Sequence, residues 1–257
     1  GMAALISGSV DFAQGSATAA LAIRLRGGDV AIVATALNKF PFSFVAQKEI
    51  HKPTDLVGKK IGILNFGGST DLAVTLALRE WNLPRQSMTI YAAGGAPERF
   101  AALSTRALDA TVLSPPETIA AARMGMNVLA NLSDLKASFP QTVIMTRRSF
   151  LEKNRETVKR FVRSYSEAIH IFKTDKPKGM AVYTKWLKQA DPKVIEATYD
   201  YFAPKFSFPP RIEREGVRNA LELVGDRDTN RAIDVGQFID ESVVDELERE
   251  GFFKKLR

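Results

Sequence analysis

The chain has 257 residues, no cysteine and a formal net charge of +7 at pH 7. Apolar residues make up 45% of the chain and charged residues 25%, which is typical of a folded globular protein and argues against a disordered or fibrous chain. Without cysteine there is neither a disulfide nor a thiolate metal site, and because acidic residues stand among the basic ones, we predict no nucleic-acid partner.

Short apolar runs alternate with helical stretches along the first half of the chain, joined by Gly, Ser, Asn or Pro. This alternation is typical of α/β proteins with mostly parallel sheets. The predicted strands are residues 10–13, 30–36, 42–47, 60–64, 89–92, 110–113, 127–130 and 142–146.

Three stretches carry clear helix signals. Residues 70–81 follow Ser69 at the position of an N-cap, and Pro97 opens residues 98–105 where its missing N–H costs nothing. Apolar residues recur every three or four positions between 155 and 172, which predicts one long amphipathic helix. The second half of the chain is therefore expected to be mainly helical.

An internal repeat points to two similar lobes. Residues 5–13 (LISGSVDFA) resemble residues 103–111 (LSTRALDAT), and each copy is typical of a helix end, a turn and a strand that opens with an apolar residue and Asp. Residues 61–95 place a strand, a helix, a strand and a Gly-rich loop before the second copy only. We therefore expect about 40 residues of strand–helix–strand to be missing from the first lobe, which would expose apolar surface and favour oligomers.

Several segments together resemble one family of transport proteins. They are GSVDFAQGS (8–16), KPTDLVGKKIG (52–62), FGGST (66–70), RFAAL (99–103), DA (109–110) and LSPP (113–116). In this order they are similar to the nitrate/sulfonate/taurine and thiamine-pyrimidine-precursor group of ABC-transporter solute-binding proteins. The resemblance extends from residue 5 to about residue 206.

The resemblance implies a two-lobed, periplasmic-binding-protein-like (type II) α/β fold with helices on both sheet faces and a cleft between the lobes. Lobe 1 would contain residues 1–46 and 142–257, and lobe 2 residues 47–141, with crossovers near 47–52 and 140–145 acting as hinges. It also implies a small-molecule ligand, a membrane permease as partner, a monomer in the intact family, a periplasmic or other extracytoplasmic location, no cofactor and no enzymatic activity.

Ligands of open α/β sheets bind beyond the carboxyl ends of the strands, so the loops there supply the candidate site. The predicted ligand-binding residues are Gly15, Ser16, Thr18, Asn65, Phe66, Gly67, Gly68, Ser69, Thr70, Gly94, Gly95, Ser114 and Pro115. Free N–H groups at helix starts and the positive net charge favour an anionic ligand, although the ligand itself is not specified.

Each of these signals also has a purely structural explanation. Residues 65–70 can be a capped turn, and Asp71 in the same turn would repel an anion. Arg99 can serve as a counter-charge, but a solvent-facing helix position is the favoured interpretation. Phe66 suits ligand contact and core packing equally.

Two other functional classes remain open. A biosynthetic enzyme for pyrimidine or menaquinone precursors is possible on related folds, but His51 and His170 are far apart and neither lies in a metal-binding or other catalytic motif. A ligand-sensing domain of a transcription regulator would share the two-lobed architecture and require a DNA-binding segment upstream.

Overall fold

The computed structural model describes residues 1–187, 191–224 and 234–256, without the side chain of Leu223. Its strands are β1 (Ala13–Gly15), β2 (Ala31–Leu37), β3 (Ser43–Ala46), β4 (Lys60–Ile63), β5 (Thr89–Ala92), β6 (Ala110–Leu113), β7 (Asn127–Asn131) and β8 (Thr142–Thr146). Its α-helices are α1 (Met2–Ser7), α2 (Ala17–Leu25), α3 (Ser69–Glu80), α4 (Ala96–Ser104), α5 (Glu117–Arg123), α6 (Arg148–Lys153), α7 (Arg155–Thr174), α8 (Lys176–Leu187), α9 (Pro192–Phe202), α10 (Arg214–Val224), α11 (Ser242–Arg249) and α12 (Phe252–Leu256).

The strands lie close to their predicted positions, with one displacement. The first was predicted at residues 10–13 but begins at Ala13. The guanidinium of Arg147 donates to the carbonyl of Val10 and to the side chain of Asp11, so these residues form a turn around Arg147 before the strand starts. None of the helices in the described ranges is long and apolar enough to span a membrane.

The chain divides into two compact units. Unit 1 contains residues 1–39, 138–181 and 203–257, and unit 2 contains residues 40–137 and 182–202. The predicted lobes were residues 1–46 plus 142–257 and residues 47–141. The observed units differ from them mainly in two segments, residues 40–46 and 182–202, which were predicted in lobe 1 but belong to unit 2.

The reason for the difference is long-range pairing. Strand β3 pairs on both sides with strands of unit 2, and Tyr201 of α9 donates to Asn131 of β7 at 3.3 Å. The segments predicted as hinges also lie inside units: residues 47–52 follow β3 in unit 2, and residues 140–145 lead into and form most of β8 in unit 1.

The sheets are less parallel than predicted. Unit 1 has the strand order β1-β8-β2 with both pairs antiparallel. Unit 2 has the order β5-β4-β6-β3-β7, in which β4 is parallel to β5 and β6 while β3 is antiparallel to both of its neighbours. The prediction of mostly parallel sheets is therefore wrong. Strand β3 in unit 2 and strand β8 in unit 1 are each antiparallel to both of their neighbours.

The internal repeat is visible in the hydrogen bonds of the two units. In the first copy, the N–H of Gly8 donates to the carbonyl of Leu5, and the N–H of Val10 donates to the carbonyl of Ala4. In the second copy, the N–H of Arg106 donates to the carbonyl of Leu103, and the N–H of Leu108 donates to the carbonyl of Ala102. The donors and acceptors are separated by three and six residues in both copies.

The repeat continues into the sheets. Strand β1 pairs with β8 as β6 pairs with β3, so β1-β8-β2 of unit 1 corresponds to β6-β3-β7 of unit 2. Strands β4 and β5 have no counterpart among the described strands of unit 1. The expected absence of a strand–helix–strand segment from the first lobe stays a prediction.

Each unit has its own apolar core. In unit 1, Val158 and Val162 of the long helix α7 pack with Val33, Ile144 and Leu247. The spacing of four residues between the two valines keeps them on one helix face, as the sequence predicted. In unit 2, a separate cluster contains Val45, Leu103, Leu108, Leu113 and Ala121, and it fixes α4 and α5 beside the sheet.

Candidate ligand-binding site

Three predicted site segments meet at one edge of unit 2. Strands β5, β4 and β6 are neighbours and parallel, so residues 94–95, 65–70 and 114–115 follow them at the same carboxyl edge. Neighbouring strands are about 5 Å apart, which places these loops side by side. Whether this edge binds a ligand stays a prediction.

The loop after β4 is a hydrogen-bonded turn, but the prediction of Ser69 as N-cap is wrong. Ser69 is the first residue of α3, and Gly68 before it has no side chain that could cap the helix. Thr70 is buried, and its hydroxyl accepts the N–H of Leu64 at 2.8 Å. The carboxylate of Asp71 accepts the N–H of Gly67 at 2.8 Å and is paired with the guanidinium of Arg85. The Thr70 hydroxyl is therefore engaged within the loop, and an arginine contact offsets the charge of Asp71.

Three N–H groups of this loop have no hydrogen-bond partner among the described residues. The N–H groups of Ser69, Thr70 and Asp71, in the first turn of α3, make no hydrogen bond with the part of the chain that is described. Phe66 is 61% exposed, so its side chain is not core packing, and ligand contact remains the surviving prediction.

Gly68 lies close to the side chain of Asn65, which would have to move if position 68 carried a Cβ atom. A Cβ atom there would lie 2.2 Å from the side-chain oxygen of Asn65. Asn65 itself is exposed, and its carbonyl accepts the N–H of Gly68 at 3.3 Å. The loop thus brings Asn65 back toward the start of α3.

Arg99 is buried, and the prediction of a solvent-facing position is wrong. It lies in the first two turns of α4 with 4% exposure, and its guanidinium donates to the carbonyls of Gly94 at 2.6 Å and Val112 at 3.1 Å. Burial lowers the pKa of Arg99, while the charges of Glu117 and Glu98 oppose that shift. Four consecutive apolar residues follow it in the helix, at positions 100–103, and no local motif indicates that the side chain of Arg99 turns inward.

An open groove of about 540 Å³ meets this edge of unit 2 at Ser43 and Pro115 and continues along α5. Its lining includes Ser43, Pro115, Thr118, Arg123, Val128 and Tyr201. Pro115 is a predicted site residue, and Ser43 lies opposite Leu113 at the end of β6. The groove is mostly apolar with a few polar groups, which is the usual composition of a site for a small organic molecule.

Sequence reasoning missed two polar residues of the groove. Ser43 begins β3, and Tyr201 comes from α9, far away in the sequence. Burial raises the pKa of Tyr201, and a hydrogen bond with Ser43 acts in the opposite direction. No local motif marks either residue, because only the packing of α9 in unit 2 brings them together.

The predicted residues of unit 1 form a helix start. Gly15 ends β1, Ser16 is the N-cap of α2, and its hydroxyl accepts the N–H of Thr18 at 3.5 Å and the Thr18 hydroxyl at 3.2 Å. Ser16 corresponds to Ser114 in the internal repeat. Near this loop, Gln14 donates to the hydroxyl of Tyr165 at 3.2 Å, and burial raises the pKa of Tyr165 to about 12.

The sequence of residues 2–178 matches the family described as NMT1/THI5 like, which is more than half of the chain. The chain belongs to the NMT1/THI5-like family. This confirms the family resemblance drawn from its motifs. No curated protein sequence matches the chain significantly.

Solved structures with the periplasmic-binding-protein fold are similar to this NMT1/THI5-like chain. The periplasmic aliphatic sulphonate binding protein SsuA from Escherichia coli has a TM-score of 0.76 and 21% identity, over 93% of this chain and 78% of that one. The ligand-binding component of an ABC-type import system from Staphylococcus aureus, with zinc bound, has a TM-score of 0.76 and 19% identity, over 95% and 83%.

A third similar structure contains a ligand. The alkanesulfonate-binding protein SsuA from Xanthomonas axonopodis pv. citri, bound to MOPS, has a TM-score of 0.68 and 19% identity, over 85% of this chain and 75% of that one. At these identities the likeness establishes the fold, and the predicted type of α/β fold is confirmed.

The two histidines of this family member have structural contacts. The Nδ1 atom of His51 lies 3.2 Å from the side-chain nitrogen of Asn127. The ring centroids of His170 and Phe208 are 5.2 Å apart. Within the described ranges, no three His, Asp or Glu side chains are grouped so that they could hold a metal ion.

Proposed function

We propose that this protein is the solute-binding component of an ABC-type importer, which binds a small organic or oxyanionic solute without transforming it. The observation that carries this proposal is the gathering of three loops at one edge of the unit 2 sheet, with unpaired N–H groups beside an exposed aromatic ring. Such an edge offers hydrogen-bond donors for a polar head and apolar surface for the rest of a solute.

The comparisons support the proposal at the level of the fold and the family. Similar structures include the sulfonate-binding proteins and an import component named above. By analogy with these proteins, the partner is a membrane permease and the location is extracytoplasmic, as the family resemblance implies.

The first turn of α3 favours an anionic group on the solute. The N–H groups of Ser69, Thr70 and Asp71 carry the positive end of the helix dipole and are unpaired within the described residues. The contact with Arg85 offsets the opposing charge of Asp71. An oxyanion such as a sulfonate, carboxylate or nitrate would therefore accept stronger hydrogen bonds from these N–H groups than a neutral group would.

The groove favours an apolar body on the same solute. Pro115 and Val128 line it together with the Ser43 and Thr118 side chains, and β3 at the groove is two strands away from β4 along the sheet. Two strand spacings amount to roughly 10 Å, the length of a small organic molecule. An organic anion would use both features, whereas nitrate would use only the first.

A screen of stability against solute classes tests the proposal. The protein would be heated with taurine, alkyl and aryl sulfonates, nitrate, aromatic and aliphatic carboxylates, and pyrimidines, each at increasing concentration. A ligand at 100 times its Kd adds about 2.7 kcal/mol to the free energy of unfolding, so a saturable rise in Tm is expected for one class.

Two further measurements complete the test. NMR of the recovered solute should show it unchanged after prolonged incubation, and a new product would instead favour an enzyme. Small-angle scattering with and without the solute tests the prediction, taken from the resemblance, that two lobes close on it by hinge motion. The absence of any saturable shift across all classes would contradict the proposed function.

A further inference from the structure

Arg99 is an unusual residue for the interior of a protein. It is 4% exposed, and its guanidinium forms no ion pair with any carboxylate in the described part of the chain. Its two terminal nitrogens donate to the carbonyls of Gly94 and Val112, while its Nε atom is buried without a hydrogen-bond partner among the described residues. Arginine is almost never fully buried unless it is paired.

Burial of the Arg99 charge lowers the free energy of unfolding unless an interacting group compensates for the lost hydration. Moving a charged group out of water carries a penalty that hydrogen bonds to two carbonyls offset only in part. The carboxylates of Glu117 and Glu98 act on Arg99 electrostatically without touching it. Packing alone does not require a charged group there, since an unbranched apolar side chain such as methionine would occupy much of the same space.

The contact with Gly94 sets the direction of the following amide. In a planar trans peptide, the C=O of one residue and the N–H of the next point in opposite directions. Because the Gly94 carbonyl faces the Arg99 guanidinium, the Gly95 N–H points away from it, and it makes no hydrogen bond with a described residue. A charge-assisted bond to the carbonyl also polarises the peptide and makes its N–H a stronger donor.

The second contact joins two parts of the same edge. Gly94 lies in the loop after β5, whereas Val112 lies near the end of β6, which leads into Ser114 and Pro115. Strand β4 lies between β5 and β6 in the sheet. One side chain therefore links the loop after β5 to the last residues of β6, just before the loop at 114–115.

We propose that Arg99 is a positioning residue of the candidate ligand site, which holds the Gly95 N–H outward and supplies buried positive charge to an anionic group of the solute. This inference rests on the proposed function. It adds Arg99 to the N–H groups of α3 as a second source of the preference for anions, so that neutral solutes gain little from Arg99. The nearby acid Glu98 opposes this effect: a Cβ atom on Gly95 would lie 2.7 Å from its carboxylate.

Three variants separate charge from geometry. Arg99→Met keeps a long side chain but removes the charge and both carbonyl contacts. Arg99→Lys keeps the charge but lacks the planar fork that reaches two carbonyls. Glu98→Gln is the matched control, since it removes a neighbouring negative charge and leaves the contacts of Arg99 in place.

The probes are butanesulfonate with butanesulfonamide and benzoate with benzamide, with Kd measured by calorimetry at constant ionic strength. For Arg99→Met we expect the affinity for the bound anion to fall about ten-fold or more, and that for its amide to fall less than about three-fold. Arg99→Lys should retain most of the anion preference, and Glu98→Gln should bind the anion more tightly than the unmodified protein. In ¹⁵N-labelled protein, the Gly95 amide should shift on anion addition, and this shift should be reduced in Arg99→Lys.

The outcomes distinguish this inference from the proposed function. Equal losses for anion and amide would mean that Arg99 only maintains structure, which overturns the inference while solute binding stands. Binding of a screened solute but of neither anion probe would have the same meaning. If Arg99→Met does not fold, the inference is tested on the other two variants. The Gly95 amide shift is then compared between Arg99→Lys and the unmodified protein, and the anion preference is measured for Arg99→Lys and Glu98→Gln. No binding of any solute by the unmodified protein would overturn both proposals.

Discussion

Gly8 and Arg106 occupy corresponding positions of the internal repeat, and both have the left-handed backbone conformation, with φ of 80° and 61°. Each follows a helix and turns the chain toward a strand, β1 in one unit and β6 in the other. Glycine adopts this conformation without strain, whereas a residue with a Cβ atom is disfavoured by roughly 1–2 kcal/mol. The second copy tolerates arginine there, so the turn is maintained by its surroundings.

This relationship predicts the effect of substituting Gly8. Gly8→Ala should lower the free energy of unfolding by about 1 kcal/mol, because alanine is strained at this φ, and Gly8→Asn should lower it less. Urea denaturation would measure both, with Ser9→Ala as a neighbouring control. Equal stability of Gly8→Ala and the unmodified protein would show that the turn changes conformation at no cost.

The buried hydroxyl of Thr70 gives a second prediction. Thr70→Val should destabilise the protein by about 1–2 kcal/mol, because the Leu64 N–H loses its acceptor while the side-chain volume is retained. Thr70→Ser keeps the hydroxyl and is the matched control. Thermal unfolding of the three proteins measures the difference, and a serine variant less stable than the valine variant would contradict the role of the hydroxyl.

The start of α3 allows one hydrogen-bond donor to be deleted with little change to the fold. Ser69 is the first residue of the helix, where proline is well tolerated because the N–H has no partner within the helix. Ser69→Pro should leave Tm nearly unchanged and weaken the binding of an anionic solute by about ten-fold.

Ser69→Ala is the control for this substitution, since it removes only the hydroxyl and keeps the N–H. Calorimetric titration with the solute found by the stability screen compares the three proteins. Unchanged affinity in Ser69→Pro would place the anion away from the start of α3.

The exposure of Phe66 separates binding from stability. Phe66→Ala should change the free energy of unfolding by less than about 0.5 kcal/mol, because the ring is 61% exposed, and should weaken binding of a solute with an apolar body. Trp186→Ala is the control, since Trp186 is 72% exposed on α8. Equal effects of both substitutions on affinity would remove Phe66 from the site.

Asp29 predicts how stability depends on pH. Burial would raise the pKa of Asp29, but hydrogen bonds from the Ser149 hydroxyl and from the N–H groups of Ser149 and Arg148 outweigh it and lower the pKa. A carboxylate with a lowered native pKa stabilises the fold above its ordinary pKa of about 4, and that contribution is lost as the pH falls through the native value.

Asp29→Asn should therefore be about 1 kcal/mol less stable at pH 7, and the difference should narrow only below about pH 4. Urea denaturation across this range measures it, with the exposed Glu152→Gln as control. A difference that is independent of pH would mean that the charge of Asp29 has no part in the stabilisation.

Local signals in the sequence were sufficient for the elements and for most candidate loops. The spacing of Val158 and Val162 predicted α7, and the resemblance of residues 5–13 to 103–111 predicted corresponding turns, because these depend on neighbouring residues. The loops 65–70, 94–95 and 114–115 were found because each follows a strand. Their position at one edge was expected, since carboxyl ends of parallel strands meet there.

By itself, the sequence determined the α/β fold, the order of its elements, the repeat and the family. Only the tertiary structure decided that residues 40–46 and 182–202 belong to unit 2, that Tyr201 and Ser43 share a groove, and that Arg99 is buried beneath the Gly94 carbonyl. The physical reason is the range of the interactions: periodicity and turn chemistry act within a few residues, whereas strand pairing, helix packing and burial of a charge depend on segments that are far apart in the chain.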